Sequence, residues 1–486
     1  MKNASLCMLF LLSLPAAMVA DAAGVRHRLI VLADMGNEPD EEQQMMHLLV
    51  CANEVELEGL VAVTGLFLRK KVRPDLFHKL VDGYAKVEKN LRKHADGWPT
   101  AKYLRSIVAS GQPTYGIAAV GAGKASGGSK LIVRAVEKDD PRPINVVVNA
   151  GSNTLAQALR DLRESVSPEK LKAYVAKLRV YENGAQDNAG AWICHEFPAI
   201  HWVRSNRQTY AYGGPSFDGK KPGRLGPHTW KPYPYSPDGQ HAWAKEHIQT
   251  GHGSLGALYP DRRFRRGLAY LEGGGTTPWL GLINRGLYDV DRPAWGGWGG
   301  RFTATKQKNV WSRHKFVRAT ETDCADFFCY TETTDVWIDP DSKTEQTNIF
   351  TPVWRWRQAM FNDLRVRMDW CVASRDQANH HPVAGFRGDK SDSIIRIKAK
   401  PGEKIALDAS GSSDPDGDKL RFGWWVYAEA GGYDKFIVVP DPDAAKTSLA
   451  IPSDAKGKQI HVILEVRDDR KEVSLYDYRR IVIDVS

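Results

Sequence analysis

In the stretch RLIVLADMGNEPDEEQQMMHLL, residues 28 to 49, Asp34 is followed within eight residues by Glu38, Asp40, Glu41 and Glu42. An apolar run of strand character ends at Asp34, and a helical apolar pattern begins near Asp40. Two backbone segments therefore bring carboxylates to one point. Their mutual repulsion is costly unless a cation neutralises it. Oxygen donors of this kind suit calcium or magnesium and not zinc. Acidic residues at a helix start also have a plainer use. They complement the helix dipole, and Asp40, beside Pro39, is placed to cap free N–H groups.

The elements that would position these groups are legible from residue 28 to about 200. Apolar runs such as RLIVLA, LEGLVAV, INVVVNAG and YVAKLRVYE alternate with helical patterns in EEQQMMHLLVCAN, RPDLFHKLVDGYAKV and NTLAQALRDLRE. That alternation predicts a mostly parallel α/β sheet flanked by helices. Ligands in such sheets sit outside the carboxyl ends of the strands, where Asp34, Thr64 and Asn149 fall. Residues 200 to 375 are rich in Trp, Gly and Pro and predict long loops with some helices over the sheet. A linker begins around ASRDQANHHPVAGFRGD. Residues 386 to 486 alternate with period two between turns such as DPDGD, which predicts a small β-sandwich of immunoglobulin or PKD type.

At 486 residues the chain is long enough for two or three domains, and its net charge of +9 is modest for that length. No long basic run marks a nucleic-acid arm, so no nucleic-acid partner is expected. Lys2, the apolar run LCMLFLLSLPAAMVA and the small residues around Ala22 read as a signal peptide over residues 1–22, predicting an exported protein. No later run is long enough to span a membrane. Cys51, Cys194, Cys324, Cys329 and Cys371 then remain, an odd number. Cys324 and Cys329 could form a local disulfide, and no CxxC or nearby His spacing suggests zinc.

Other polar and aromatic groups could contact a ligand. Gln186, Asp187, Asn188 and Trp192 lie in a loop that follows a strand and reaches the rim shared with Asp34. Trp279, Trp295 and Trp298 could stack on sugar faces, since an aromatic ring complements a C–H face. In WGGWGG the glycines leave few side chains to bury the rings. His252 is the best placed of the histidines to donate a proton to a leaving group. GAGKASGG lacks the Ser or Thr that follows the lysine of a phosphate loop, and no G-x-S-x-G elbow occurs. DPDGD lacks the frame of an EF-hand and reads as a β-turn.

The segment Asp34-Met35-Gly36-Asn37-Glu38-Pro39-Asp40-Glu41 resembles the metal motif of nucleoside hydrolases, D-x-D-x-G-x-D-D. It is closer still to the extended D-x-G-x-E-P-D-D of secreted, nucleoside-hydrolase-like cellulose-binding proteins. The likeness continues in LRKKVRPDL, NAGSNTLAQAL, LRVYENGAQDNAGAWI, GHGSLGALYP and WGGWGGRF, and in the C-terminal HPVAGF…PGEKIALDASGSSDPDGDKLRFGWWVYAEAG. It implies a nucleoside-hydrolase-like domain over residues 26–378 and a β-sandwich over 386–486. It also implies a buried divalent ion, calcium with magnesium as the alternative, that orients a water and a sugar. By position Asp34 would be metal ligand and general base, and Glu41 and the Asn149 carbonyl further ligands. Asp40 would bind sugar hydroxyls or share the base role. Asn37, Glu38, Asn153, Gln186, Asp187, Asn188 and Trp192 would touch the substrate.

The motif departs from the hydrolases in four places. Leu32 replaces their first Asp, Glu41 their last, and Leu66 an Asn that touches the sugar. Gly274 stands where a late Asp ligand is expected, with Glu272 nearby. Leu32, Leu66, export and the tryptophan-rich cover weigh against a nucleoside-salvage enzyme, a third option. The preferred function is an exported calcium-dependent hydrolase of glycosidic bonds, and the alternative is a cellulose-type carbohydrate-binding protein that has lost hydrolysis. The ligand is a carbohydrate or glycoside in both.

Overall fold

The computed structural model describes residues 26–36, 38–212, 242–260, 262–263, 269–270, 275–283, 286–307, 327–338, 343 and 345–486. Asn37, Glu272, Gly274, Cys324 and the N-terminal run lie outside the described residues.

Strands β1 (His27–Ala33), β2 (Val55–Ala62), β3 (Val108–Ser110), β4 (Ile144–Val148), β5 (Leu178–Asn183) and β6 (His201–Ser205) form a parallel array ordered β3-β2-β1-β4-β5-β6. Phe327–Glu332 continues it in parallel beside β6, and Phe302–Gln307 closes that edge antiparallel. The continuous apolar run of β1 follows from burial on both faces. Leu29, Val31 and Ala33 enter the core on one side, while Ile30 and Leu32 enter the core on the other.

The last three strands come from the stretch expected to be loops and helices. There Phe327–Glu332 is buried at alternate residues at most, and its pattern was masked by neighbouring Trp, Gly and Pro. A second difference lies at YVAKLRVYE. Its first residues belong to the helix Pro168–Ala176, started by Pro168 at its first turn and by Ser167, whose side chain accepts from Lys170 N. Only Leu178–Asn183 is strand.

Gly36, at φ +83°, turns the chain from β1 into helix α1 (Pro39–Val50), and a side chain there would meet Leu76 Cδ1 at 2.7 Å. Glu38, not Asp40, is the N-cap residue, and its side chain makes no capping bond. Asp40, Glu41 and Glu42 therefore crowd the first turn, where the helix dipole favours negative charge. Helix α2 (Pro74–Leu91) starts at Pro74 as the sequence predicts.

The C-terminal region is a β-sandwich. Ile395–Ala399, Tyr476–Val485, Gln459–Asp468 and Leu420–Val426 form one sheet, and Lys404–Asp408 pairs with Lys446–Ala450 in the other. Leu407, Trp424, Leu449, Val462 and Ile483 fill the space between them. DPDGD is the expected turn, with Asp414 Oδ1 accepting from the backbone N–H groups of Asp416 and Asp418.

The sandwich is fastened to the α/β domain by buried aromatic rings and guanidinium groups. Trp356 meets Trp425 and Tyr478, each with ring centroids 5.4 Å away. Arg480, fully buried, donates to the carbonyls of Leu287 and Gly296 at 2.7 and 3.0 Å, and burial brings its pKa down to about 10. Trp295 and Trp298 belong to this seam and not to a sugar-stacking surface. Trp295 packs edge-on to His461 at 4.7 Å with Arg292 over its ring, and Trp298 packs edge-on to Tyr478. The glycines of WGGWGG leave the rings free to be buried by the other domain.

Cys51, Cys194, Cys329 and Cys371 are free and buried. No helix among the described residues is long and apolar enough to cross a membrane. Trp356→Ala should cost about 3–5 kcal/mol, the usual range for a large buried aromatic, read as a lowered midpoint in urea unfolding.

Candidate functional site

The strand order reverses between β1 and β4: β2 and β3 lie to one side and β5 and β6 to the other. A sheet of this kind opens a crevice at such a reversal, outside the carboxyl ends of the strands. Asp34 leaves β1 and Asn149 leaves β4 at this point, with Asn149 N bonded to Leu32 O at 2.9 Å. Thr64, after β2, flanks them, its carbonyl accepting from Gly151 N at 3.0 Å. The sequence-predicted strand ends therefore do meet. Asp34, Thr64, Asn149, Asn153, Gln186 and Asp187 are all buried there.

One side chain ties these ends together. Gln186 Oε1 accepts from Leu66 N at 3.1 Å, and Gln186 Nε2 donates to Asn149 O at 2.9 Å. Gly65 lets this clamp lie against Asp34, because a methyl group there would collide with Asp34 Oδ2 and Gln186 Oε1. On the other flank Gln44 Nε2 donates to Glu41 Oε2, and Trp279 Nε1 donates to Gln44 Oε1 at 3.4 Å. Asn149 Nδ2 donates to Gly275 O at 3.2 Å. A methyl group at Gly275 would stand 2.6 Å from Asn149 Nδ2 and 2.7 Å from Gln44 Nε2. The floor is thus carboxylates held by amides. Gln44 and Gly275 carried no periodicity or motif by which the sequence could have marked them.

Glu41 feels the crowding most. Burial raises its pKa well above the carboxylate range, and the charges of Asp40, Asp34 and Glu38 raise it further. The carboxylates therefore converge as the sequence predicts. A cation could relieve the repulsion, and so could a proton on Glu41. Asn149 Oδ1, buried without a hydrogen-bond partner, is a donor that a hard cation could use.

Part of the donor set for the calcium that the resemblance implies is engaged within the protein. The Asn149 carbonyl expected as a ligand accepts one hydrogen bond from Gln186, and Glu41 accepts one from Gln44, which leaves each a further lone pair. Gly274, where the late Asp ligand is expected, lies outside the described residues; its neighbour Gly275 packs against the amides of Asn149 and Gln44. Among the described residues, Asp34, Asp40 and Glu41 do not join any group of three His, Cys, Asp or Glu side chains whose ligand atoms lie within 4.8 Å of one another.

Several residues expected to touch a substrate instead hold loops. Asn153 Nδ2 donates to Thr114 O at 2.8 Å and to Thr64 Oγ1 at 3.2 Å. Asp187 accepts from Ala189 N at 2.9 Å and Asn153 N at 3.2 Å, so one carboxylate serves the first turns of two helices. Burial nevertheless lifts its pKa to about 7. Asn188 Oδ1 accepts from Ile117 N at 2.9 Å. Trp192 is half-buried against Arg163 and Phe197, away from the crevice. Trp279 is core beneath Gln44. His252 pairs with Asp369 at 3.0 Å beside the last turns of α2, so the crevice does not include it.

The solvent-facing rim is made of residues the sequence did not single out. Phe67 is 51% exposed. Arg69 donates to Leu66 O at 2.9 Å and lies over the half-buried Tyr115 ring at 4.6 Å. Tyr115 in turn donates its hydroxyl to Gln186 O at 2.7 Å, joining the rim to the clamp. Glu38 and Asp40 are half-buried on the α1 side. Aromatic faces beside carboxylates suit a ligand with both C–H faces and hydroxyls.

The sheet order and the carboxylates at its reversal define a nucleoside-hydrolase-like α/β protein carrying a second, β-sandwich domain. The chain belongs to the cellulose-binding Sde182 family: the model of its nucleoside hydrolase-like domain matches residues 28–302, and that of the Sde0182 C-terminal domain matches residues 404–485. Among solved structures it is similar to a nucleoside hydrolase-related hypothetical protein from Saccharophagus degradans that is associated with carbohydrate metabolism. The two are 37% identical, with 95% of this chain and 100% of that one covered and a TM-score of 0.79. The effector protein XOO4466 matches at 11% identity over 72% of this chain and 95% of its own, with a TM-score of 0.32, too low to carry an argument. No curated protein matches the chain.

Glu41→Gln gives a test of the proton-for-cation balance. A carboxyl whose folded pKa is raised stabilises the fold fully below its unfolded pKa, near 4.3, and loses that contribution as pH rises through the folded value. In calcium-free buffer the variant should melt above the parent at pH 8, and the gain should vanish as pH falls toward 4. Thermal melts across that range check it.

Proposed function

We propose that this chain is a carbohydrate-binding protein that presents the carboxyl edge of its nucleoside-hydrolase-like sheet to a cellulose-type polysaccharide and does not cleave it. The observation that carries this reading is the Gln186 clamp. Its amide takes one lone pair of the Asn149 backbone oxygen and ties that strand end to Leu66, so the floor is held by neutral groups.

The rim supplies the contacts that binding needs. Phe67 and Tyr115 offer ring faces to the C–H face of a pyranose, and Glu38 and Asp40 offer acceptors to its equatorial hydroxyls. The family's cellulose-binding description and the carbohydrate association of the Saccharophagus degradans relative support the same ligand class. An insoluble polysaccharide partner also agrees with export through the N-terminal apolar run.

A calcium-dependent glycosidase is the second reading, favoured by Asn149 Oδ1, which accepts no hydrogen bond within the carboxylate and amide cluster. Retention on cellulose separates the two. Chelator-treated protein should bind as well as untreated protein and release no reducing sugar. Tyr115→Ala should weaken binding by about tenfold, on the order of 1.4 kcal/mol. Calcium-dependent release of sugar, abolished by Asp34→Asn, would establish the hydrolase instead.

A further inference from the structure

Away from the sheet edge, α1 carries His47 and Cys51 one helical turn apart, on a face buried against the helix Arg357–Asp369. A ring nitrogen of His47, Sγ of Cys51 and a carboxylate oxygen of Asp363 all lie within 4.8 Å of one another. Cys51 Sγ is 3.9 Å from Asp363 Oδ2. The other oxygen of Asp363 is fixed from behind: Oδ1 accepts from Arg367 Nε and from His381 Nε2, each at 2.7 Å. His47 Nδ1 is engaged by the Tyr212 hydroxyl at 3.1 Å. His47 Nε2 is buried and has no hydrogen-bond partner among the described residues.

We propose that these three side chains form a binding site for a zinc-class divalent ion, with His47 Nε2, the Cys51 thiolate and Asp363 Oδ2 as ligands. The reading is independent of the sheet edge, whose all-oxygen donors suit a different class of ion. Nitrogen, sulfur and oxygen donors at tetrahedral angles, with arms of about 2.0–2.3 Å, place sulfur and oxygen about 3.5 Å apart. The observed 3.9 Å needs only a small closure. Arg367 and His381 act as the outer partners that orient a ligating carboxylate. Burial also keeps the imidazole neutral, with a pKa of about 3, so its lone pair is available to a metal.

On binding, the Cys51 S–H bond breaks, its proton leaves to solvent and the sulfur keeps the electron pair that forms the metal bond. Thiolate and carboxylate then match the two positive charges of the ion, while Arg367 keeps its bond to Oδ1. A cavity of about 230 Å³ between the two domains, lined by Glu54, Asp363, Arg367, His381, Asp392 and Asp477 among others, reaches the site at Asp363. The ion would staple α1 to the helix that carries the sandwich domain.

Cobalt titration of the metal-free full chain tests this. A one-to-one complex should show intense tetrahedral d–d bands and a thiolate-to-cobalt absorption in the near ultraviolet. Zinc should displace it and raise the melting temperature. Cys51→Ser should lose the thiolate band and most of the zinc retained through dialysis, His47→Gln should weaken both, and Asp34→Asn should leave the spectrum unchanged. If either variant fails to fold, the other decides. A parent protein with no thiolate band, or a band that survives in Cys51→Ser, overturns the site.

Discussion

Electrostatic repulsion among Asp34, Glu38, Asp40 and Glu41 is what the surrounding structure must satisfy. Their positions follow from the backbone: Asp34 is delivered by the end of a buried strand, and the others crowd the first turn of α1. A carboxylate removed from water without a counter-ion takes up a proton instead, and the raised pKa of Glu41 has that cause. The neighbouring side chains agree with this solution. Gln44 and Gln186 bring amide donors and acceptors, which satisfy lone pairs without adding charge, and Gly65 and Gly275 leave the space they need.

A fold can keep the positions of a reaction centre while its interactions are rewired. Here the reversal of strand order still brings the ends of β1, β2 and β4 together. Many of the polar atoms at those ends are engaged with the protein itself: Asn153 with the Thr114 loop, Asp187 with two helix starts, Gln186 with Leu66 and Asn149. What faces outward is aromatic and acidic. That division sets a floor tied by amides, with Asn149 Oδ1 unpaired among the described residues, beneath an open rim.

The second domain is not a loosely tethered module. Trp356, Tyr427 and Tyr478 share one apolar cluster with α1 and α2, and Arg480 and Arg301 each donate across the seam to backbone carbonyls. Residues expected to be a linker take part as well. Asn379 donates to Asp468, and His381 to Asp363, so the connection is built into both domains. The cluster of His47, Cys51 and Asp363 lies next to this connection.

Much of the architecture was legible from residue order. Periodicity marked β1, β2, β4 and the helices α1 and α2, because burial on one or both faces imposes a repeat that a short window can carry. The ends at Asp34, Thr64 and Asn149 followed, as did the meeting of the carboxylates and the alternation of the sandwich. Tertiary structure alone decided which partner each polar or aromatic group would find. Gln186 reaches Leu66 across 120 positions and Gln208 reaches Ile349 across 141. Trp295 and Trp298, read as sugar platforms, are covered by His461 and Tyr478 of the second domain, each more than a hundred residues onward. Secondary structure is written locally in side-chain spacing. The choice between a cation, a proton and an amide at Asp34 depends on which distant atoms the packed sheet brings within about 3 Å.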